Sequence, residues 1–98
     1  MSAYIINISR EKDILLAKSQ YGTMKINLSG ECYLIVYNDI IIIQKNVAID
    51  DMHILYLACA LRKVIFDYHK NYPDILTHLR TATASYPIPN EIEIIYTL

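Results

Sequence analysis

The chain has 98 residues, a length that fits one domain and leaves little room for a second. Its net charge is -1, and its nine Lys and Arg residues are scattered along the sequence, which argues against nucleic-acid binding. Hydrophobic residues make up 54%, but no apolar stretch reaches the roughly 18 residues that a membrane-spanning helix needs. The N-terminus lacks the basic and apolar regions of a signal peptide, so we expect a cytoplasmic protein without membrane contact.

The first part of the chain predicts short strands joined by tight turns. Residues 3–8 have the composition of a strand. Residues 14–20 fit either a strand or a helix that Ser9 caps, and we favour the strand. Residues 23–29 alternate between apolar and polar side chains, which predicts a half-buried strand. The apolar face of that strand holds Met24, Ile26 and Leu28.

Residues 32–45 form an almost continuous apolar stretch that only Asn38 and Asp39 interrupt. These two residues predict a two-residue hairpin turn. Both faces of the hairpin are apolar, so the pattern alone does not fix which face joins the core. We expect the core face to hold Leu34, Val36, Ile41 and Ile43.

The opposite face of this hairpin then has nothing within the chain to cover it. A bare apolar surface on a soluble protein usually marks a contact with another molecule. We therefore predict that this face binds a partner. The predicted partner-binding residues are Tyr33, Ile35, Tyr37, Ile40 and Ile42.

The strongest helical pattern runs over residues 47–73, and Asp50 is its predicted N-cap. Two adjacent apolar stripes predict a helix that is buried on more than one side. One stripe holds Ile54, Leu57, Ala58, Leu61, Ile65 and Tyr68, and the other holds Leu55, Cys59 and Phe66. Pro73 suits the first turn of a second, short helix, and residues 91–98 alternate as a final strand.

This order of elements predicts an α+β fold in which residues 1–98 form one domain. We expect a mainly antiparallel sheet of five or six strands, in the order β-β-β-β-β-α-α-β, with one long and one short helix packed on one face. The final strand must return to the sheet, because an isolated strand is unstable.

The sequence carries no recognisable catalytic or cofactor motif. Cys32 and Cys59 lie in apolar segments and are expected to be reduced core thiols, in which a reactive thiolate is disfavoured. The three histidines, His53, His69 and His78, lack the spacing of a helical zinc site. We therefore expect no enzymatic activity, no cofactor and no metal.

Tyrosine is the unusual component, with nine residues against one phenylalanine and no tryptophan. Tyrosine is enriched at protein interfaces. We interpret the chain as a small protein–protein interaction domain that binds another protein, itself as a homodimer, or both. In size, single-domain organisation and lack of catalytic motifs it resembles small inhibitors such as toxin-immunity proteins, antitoxins and phage anti-defence proteins, which would imply that it occludes its partner.

Two other readings stay open from the sequence. One is a small-ligand sensor or enzyme with a pocket between the sheet and the long helix, lined by His53, Tyr56 or Cys59. The other is a subunit that is stable only within a larger complex, which would also account for the high apolar content.

Overall fold

A computed structural model of the chain describes residues 4–28, 35–41, 51–83 and 90–97. Six strands form one sheet in the order β5-β4-β3-β2-β1-β6. The elements are β1 (Tyr4–Glu11), β2 (Ile14–Ser19), β3 (Gly22–Asn27), β4 (Ile35–Tyr37), β5 (Ile40–Ile41), α1 (Met52–Tyr68), α2 (Pro73–Ala82) and β6 (Ile92–Thr97). The predicted α+β class, with one long and one short helix, is confirmed.

The sheet is mixed because its last strand pairs in parallel. Strands β1 to β5 are antiparallel neighbours, whereas β6 lies parallel to β1 from the Tyr4–Ile92 pair to the Ser9–Thr97 pair. A parallel neighbour needs a long crossover connection, and the segment that contains α1 and α2 supplies it. The final strand therefore returns to the sheet as expected, but it does not extend the antiparallel pattern.

The core lies between one face of the sheet and the two helices. Strand residues alternate between buried and exposed along β1, β2 and β3, which confirms the strand prediction for residues 14–20. The buried strand side chains are Ile6, Ile8, Leu15, Ala17, Met24 and Ile26. Helix α1 covers this face with Leu57, Leu61 and Ile65, and α2 packs against α1 and adds Ile75 and Leu79 to the same core. Burying each leucine or isoleucine contributes about 1.5–3 kcal/mol relative to leaving it in water.

The long helix begins one residue later than predicted. Its N-cap is Asp51, whose side chain accepts hydrogen bonds from the backbone N–H groups of His53 at 2.9 Å and Ile54 at 3.1 Å. The predicted cap, Asp50, lies outside the described residues. The short helix has Pro73 in its first turn, as predicted.

The predicted burial of α1 is correct for its first half and wrong near its end. Leu55 and Cys59 are buried, so the helix is covered on more than one side there. Phe66 and Tyr68 were predicted to continue the apolar stripes, but both are exposed. Val64 and Ile65 remain buried in the same turns, so Phe66 and Tyr68 are exposed because they lie on sides of the helix that the core does not cover.

Asn38 and Asp39 form the predicted two-residue turn between β4 and β5. Their φ angles are 48° and 67°, and Tyr37 pairs with Ile40 across the turn. Positive φ at both central positions is the hairpin turn geometry that matches the twist of the flanking strands, and asparagine and aspartate tolerate it better than most residues.

The pairing of β4 with β3 reverses the predicted faces of this hairpin. Tyr37 lies opposite the buried Met24, and Val36 lies opposite the exposed Lys25. Tyr37 is therefore on the face that the helices cover, and Val36 is on the other face, called the open face below. The prediction that Val36 belongs to the core face was wrong, because both faces of the stretch are apolar and the alternation of the neighbouring β3 decides the register.

Two hydrogen bonds and one ring contact hold β4 in this register. The backbone N–H of Asn38 donates to the Thr23 carbonyl at 3.0 Å, and the Asn38 Oδ1 accepts from the Thr23 N–H at 2.9 Å. The Tyr37 ring lies over Gly22, where a Cβ would come within 2.5 Å of the phenol oxygen. Any side chain at position 22 would therefore have to displace this ring.

Candidate interaction surface

The structure describes three of the five predicted partner-binding residues. Tyr37 is half-buried, packs against the core and donates its hydroxyl to the Tyr21 carbonyl at 3.0 Å. The backbones of Ile35 and Ile40 are placed in β4 and β5. Tyr33 and Ile42 lie outside the described residues, as do Leu34 and Ile43 of the predicted core face. A role in binding stays a prediction for this set, but Tyr37 does not lie on a bare surface.

Four aromatic side chains meet where β1 and α1 both begin. This aromatic cluster consists of Tyr4, Tyr21, His53 and Tyr56. Tyr4 begins β1, Tyr21 lies in the turn between β2 and β3, and the other two occupy the first two turns of α1. They meet because α1 runs in the same direction as β1, so that its first turns lie beside the first residue of that strand.

The rings of the cluster pack in ordered geometries. Tyr21 and His53 stack with centroids 4.1 Å apart and planes 21° from parallel. Tyr4 stacks on Tyr21 at 5.4 Å and meets Tyr56 edge-on at 4.9 Å. Aromatic pairs in such geometries contribute about 0.5–1.5 kcal/mol each beyond the burial of their area.

Hydrogen bonds further fix these side chains. The Tyr4 hydroxyl lies 3.2 Å from the Ser19 Oγ and 3.4 Å from the His53 Nδ1. Tyr56 donates its hydroxyl to the Glu91 Oε1 at 2.8 Å. The cluster is therefore tied to the end of β2 and to the residue that precedes β6.

One side of the cluster is anchored and the other faces solvent. Tyr4 and Tyr56 are half-buried and pack against the core. His53 is exposed, and 48% of Tyr21 is exposed. The exposed rings of Tyr21 and His53 therefore pack against the half-buried ring of Tyr4.

Burial and hydrogen bonding shift the pKa values of three groups in and beside the cluster. Burial raises the pKa of the Tyr4 hydroxyl. The hydrogen bond to Glu91 raises the pKa of Tyr56, and the same bond lowers the pKa of the Glu91 carboxyl. At neutral pH the phenols keep their protons and the carboxylate stays charged, so the cluster offers fixed donors and an acceptor rather than a tyrosinate base.

A second polar group lies at the opposite end of α1. His69 caps the C-terminal end of this helix and is largely buried. Its Nδ1 lies 3.1 Å from the Arg10 Nη1, and its Nε2 lies 2.6 Å from the Tyr96 hydroxyl. Both ring nitrogens are occupied, so this histidine joins the helix to β1 and β6 and leaves no nitrogen for a metal or a substrate.

Cys59 is the free cysteine among the described residues, and it is not placed as a reactive thiol. Cys59 is a free, buried thiol, and burial raises its pKa, although the Arg62 charge opposes this. A raised pKa disfavours the reactive thiolate. The other cysteine, Cys32, lies outside the described residues. Within the described ranges, no group of three or more His, Cys, Asp or Glu residues is placed to hold a metal ion.

Sequence reasoning found half of the aromatic cluster. His53 and Tyr56 were predicted only as possible pocket residues, and Tyr4 and Tyr21 were noted only as two of nine tyrosines. Tyr21 stands beside Gly22 in a turn-like stretch, which predicts its place at a turn but not its contact with His53. The meeting of the four rings depends on the direction of α1 relative to β1, and no local pattern encodes that direction.

Comparison with known proteins gives no assignment: no family model matches the chain, and neither the curated proteins nor the solved structures include a significant match. In the part of the chain that the structure describes, neither helix is long and apolar enough to cross a membrane.

Proposed function

We propose that this chain is a small protein-binding domain that occludes a site on a partner protein, in the manner of an immunity-type or antitoxin-type inhibitor. Its contact surface is the aromatic cluster rather than the hairpin face that the sequence favoured. The observation that carries this proposal is the Tyr21–His53 stack at 4.1 Å, since both rings are exposed yet held in place by their neighbours.

Fixed aromatic side chains suit binding for an energetic reason. Ordering a flexible side chain on association costs about 0.5–1.5 kcal/mol, and rings that are already ordered avoid most of this cost. Tyrosine and histidine also present apolar faces together with hydrogen-bonding atoms, so one surface supports both packing and specificity. Binding by occlusion needs a fixed surface and no catalytic group.

The proposal is tested by placing a photo-crosslinking amino acid at Gln20. This residue is exposed and lies beside Tyr21 in the turn between β2 and β3. Irradiation of cells that express this variant at its natural level should give one dominant adduct with another protein, identified by mass spectrometry. The same amino acid at Lys12, in the turn at the other end of β2, should not give that adduct.

A matched pair of substitutions connects the adduct to the cluster. His53→Ala removes one ring of the stack and should reduce the adduct at least tenfold, whereas Met52→Ala, at the neighbouring exposed position, should leave it unchanged. Circular dichroism confirms that both variants fold. An adduct that is insensitive to His53→Ala, or one that forms equally from Lys12, contradicts the proposal.

Self-association is a second candidate, and the open face favours it. Ile5, Ile14 and Ile95 are exposed by 47%, 43% and 43%, and the strand register places all three on that face. Ile5 and Ile95 are diagonal neighbours on β1 and β6, whereas Ile14 lies opposite Glu11 at the other end of β1, so a contact would centre on the Ile5–Ile95 pair. The predicted homodimer would therefore form through the open face and leave the aromatic cluster free.

A further inference from the structure

A groove of about 390 Å³ runs between α1 and α2. Its lining residues are Arg62, Lys63, Phe66, Asp67, Leu76 and Arg80. The width of the groove is fixed by Arg62, which donates to the Thr83 Oγ1 at 2.7 Å, while that buried hydroxyl donates to the Leu79 carbonyl at 2.7 Å. The end of α2 is thus tied to α1, and the groove does not depend on a partner for its shape.

The floor of the groove includes an exposed aromatic ring. Phe66 is 47% exposed although it is the only phenylalanine in the chain. The Arg80 guanidinium lies 5.6 Å from its ring centroid and the Lys70 Nζ lies 5.7 Å from it. Two cations over one ring keep the positive charges close to an apolar surface.

The charge around the groove is unbalanced. The four basic residues that residues 46–98 contain are Arg62, Lys63, Lys70 and Arg80, and all four line the groove or contact Phe66. Of the lining residues one is acidic, Asp67, and it pairs with Lys63 at 3.2 Å. The groove lining therefore carries a net positive charge, although the chain as a whole has a net charge of -1.

We infer that this groove binds an acidic peptide segment that places one apolar side chain against Phe66 and Leu76. Carboxylates of the peptide would pair with Arg80 and Lys70, and the apolar side chain would fill the space between the two helices. The groove is separate from the aromatic cluster, so this inference does not depend on the proposed function of that surface.

The observations favour a peptide over a nucleic acid. A phosphate backbone is usually followed by a longer run of basic residues than this groove provides. The groove has an apolar floor and a basic rim. An acidic amphipathic peptide fits both, because its apolar side chain would contact the floor and its carboxylates would pair with the rim.

The test selects the ligand without assuming its sequence. A displayed library of random peptides of about 14 residues is panned against the wild-type protein, and bound clones are eluted. The recovered peptides should be enriched in Asp and Glu around one large apolar residue. Their affinity should fall at least tenfold with Arg80→Glu and with Phe66→Ala, and should decrease as salt is added.

Lys25→Glu is the matched control, because it makes the same reversal of charge at an exposed position on the open face. It should change the affinity by less than twofold. Recovery of peptides without an acidic bias, equal sensitivity to both charge reversals, or tighter binding of single-stranded RNA than of the selected peptides would overturn the inference.

Discussion

At the scale of single residues, His69 shows how a polar side chain is accommodated in this small core. Arginine is always protonated in proteins, so Arg10 must donate to the His69 Nδ1 and the proton of the neutral ring lies on Nε2. That nitrogen then donates to the Tyr96 hydroxyl. Protonation of the ring would remove the acceptor for Arg10 and place a second positive charge beside it, so the fold requires the neutral form.

The free energy of unfolding should therefore fall as the solution is made acidic. Burial, and secondarily the Arg10 charge, hold the pKa of His69 in the folded protein below its ordinary value of 6.5. Between that lowered pKa and 6.5 the unfolded chain binds more protons, so stability is fully present above pH 6.5 and is lost as the pH falls below it. Urea unfolding between about pH 7.5 and 5 measures this loss.

Two variants assign the pH dependence to this residue. His69→Gln cannot titrate, so its free energy of unfolding should fall less steeply as the pH is lowered. We expect this variant to be less stable than the wild type at every pH. His53→Gln, which removes the exposed histidine of the aromatic cluster, should leave the decline in place. An unchanged slope in His69→Gln would show that other groups cause it.

At the scale of elements, the β4–β5 hairpin owes its orientation to its neighbour. The hairpin has two apolar faces, and it joins the sheet in the register that β3 dictates through the Met24–Tyr37 pair. The contact between Tyr37 and Gly22 reinforces this register, because only a residue without a Cβ leaves space for the ring. Pairing with β3 therefore determines which face of the hairpin joins the core, which the composition of the hairpin does not determine.

We expect Gly22→Ala to destabilise the protein by about 1–3 kcal/mol, because the new methyl group collides with the Tyr37 ring. The loss should be at least about 1 kcal/mol smaller in a Tyr37→Ala background, where the space is empty. Urea unfolding of the two single variants and the double variant measures this coupling. Additive losses would mean that the ring does not occupy this position over Gly22.

At the scale of the whole molecule, the sequence predicts those features of the fold that depend on local patterns of residues. The strands, both helices, the Asn38–Asp39 turn and the return of the last strand follow from alternation, capping and proline placement. The face of the hairpin, the parallel direction of β6 and the aromatic cluster depend on which elements become neighbours. Tyr4 and His53 are 49 positions apart, and only the finished topology brings them together.

Self-association through the open face can be tested by light scattering after size-exclusion chromatography. The wild-type chain should elute with twice the monomer mass of 11.3 kDa. Ile95→Lys should shift it to the monomer, because a charge in an apolar contact is costly to desolvate. Met52→Lys makes the same change at an exposed position on α1 and should remain dimeric. A wild-type monomer would exclude the homodimer.

The parallel pairing of β6 with β1 also sets the order in which the sheet can be completed during synthesis. Tyr4 is synthesised 88 positions before its partner Ile92. At rates of 5–20 residues per second, the outer edge of β1 stays unpaired for on the order of ten seconds. For that interval the nascent chain presents an unfilled strand position next to Ile6 and Ile8, which a neighbouring polypeptide or a chaperone could occupy until the final strand arrives.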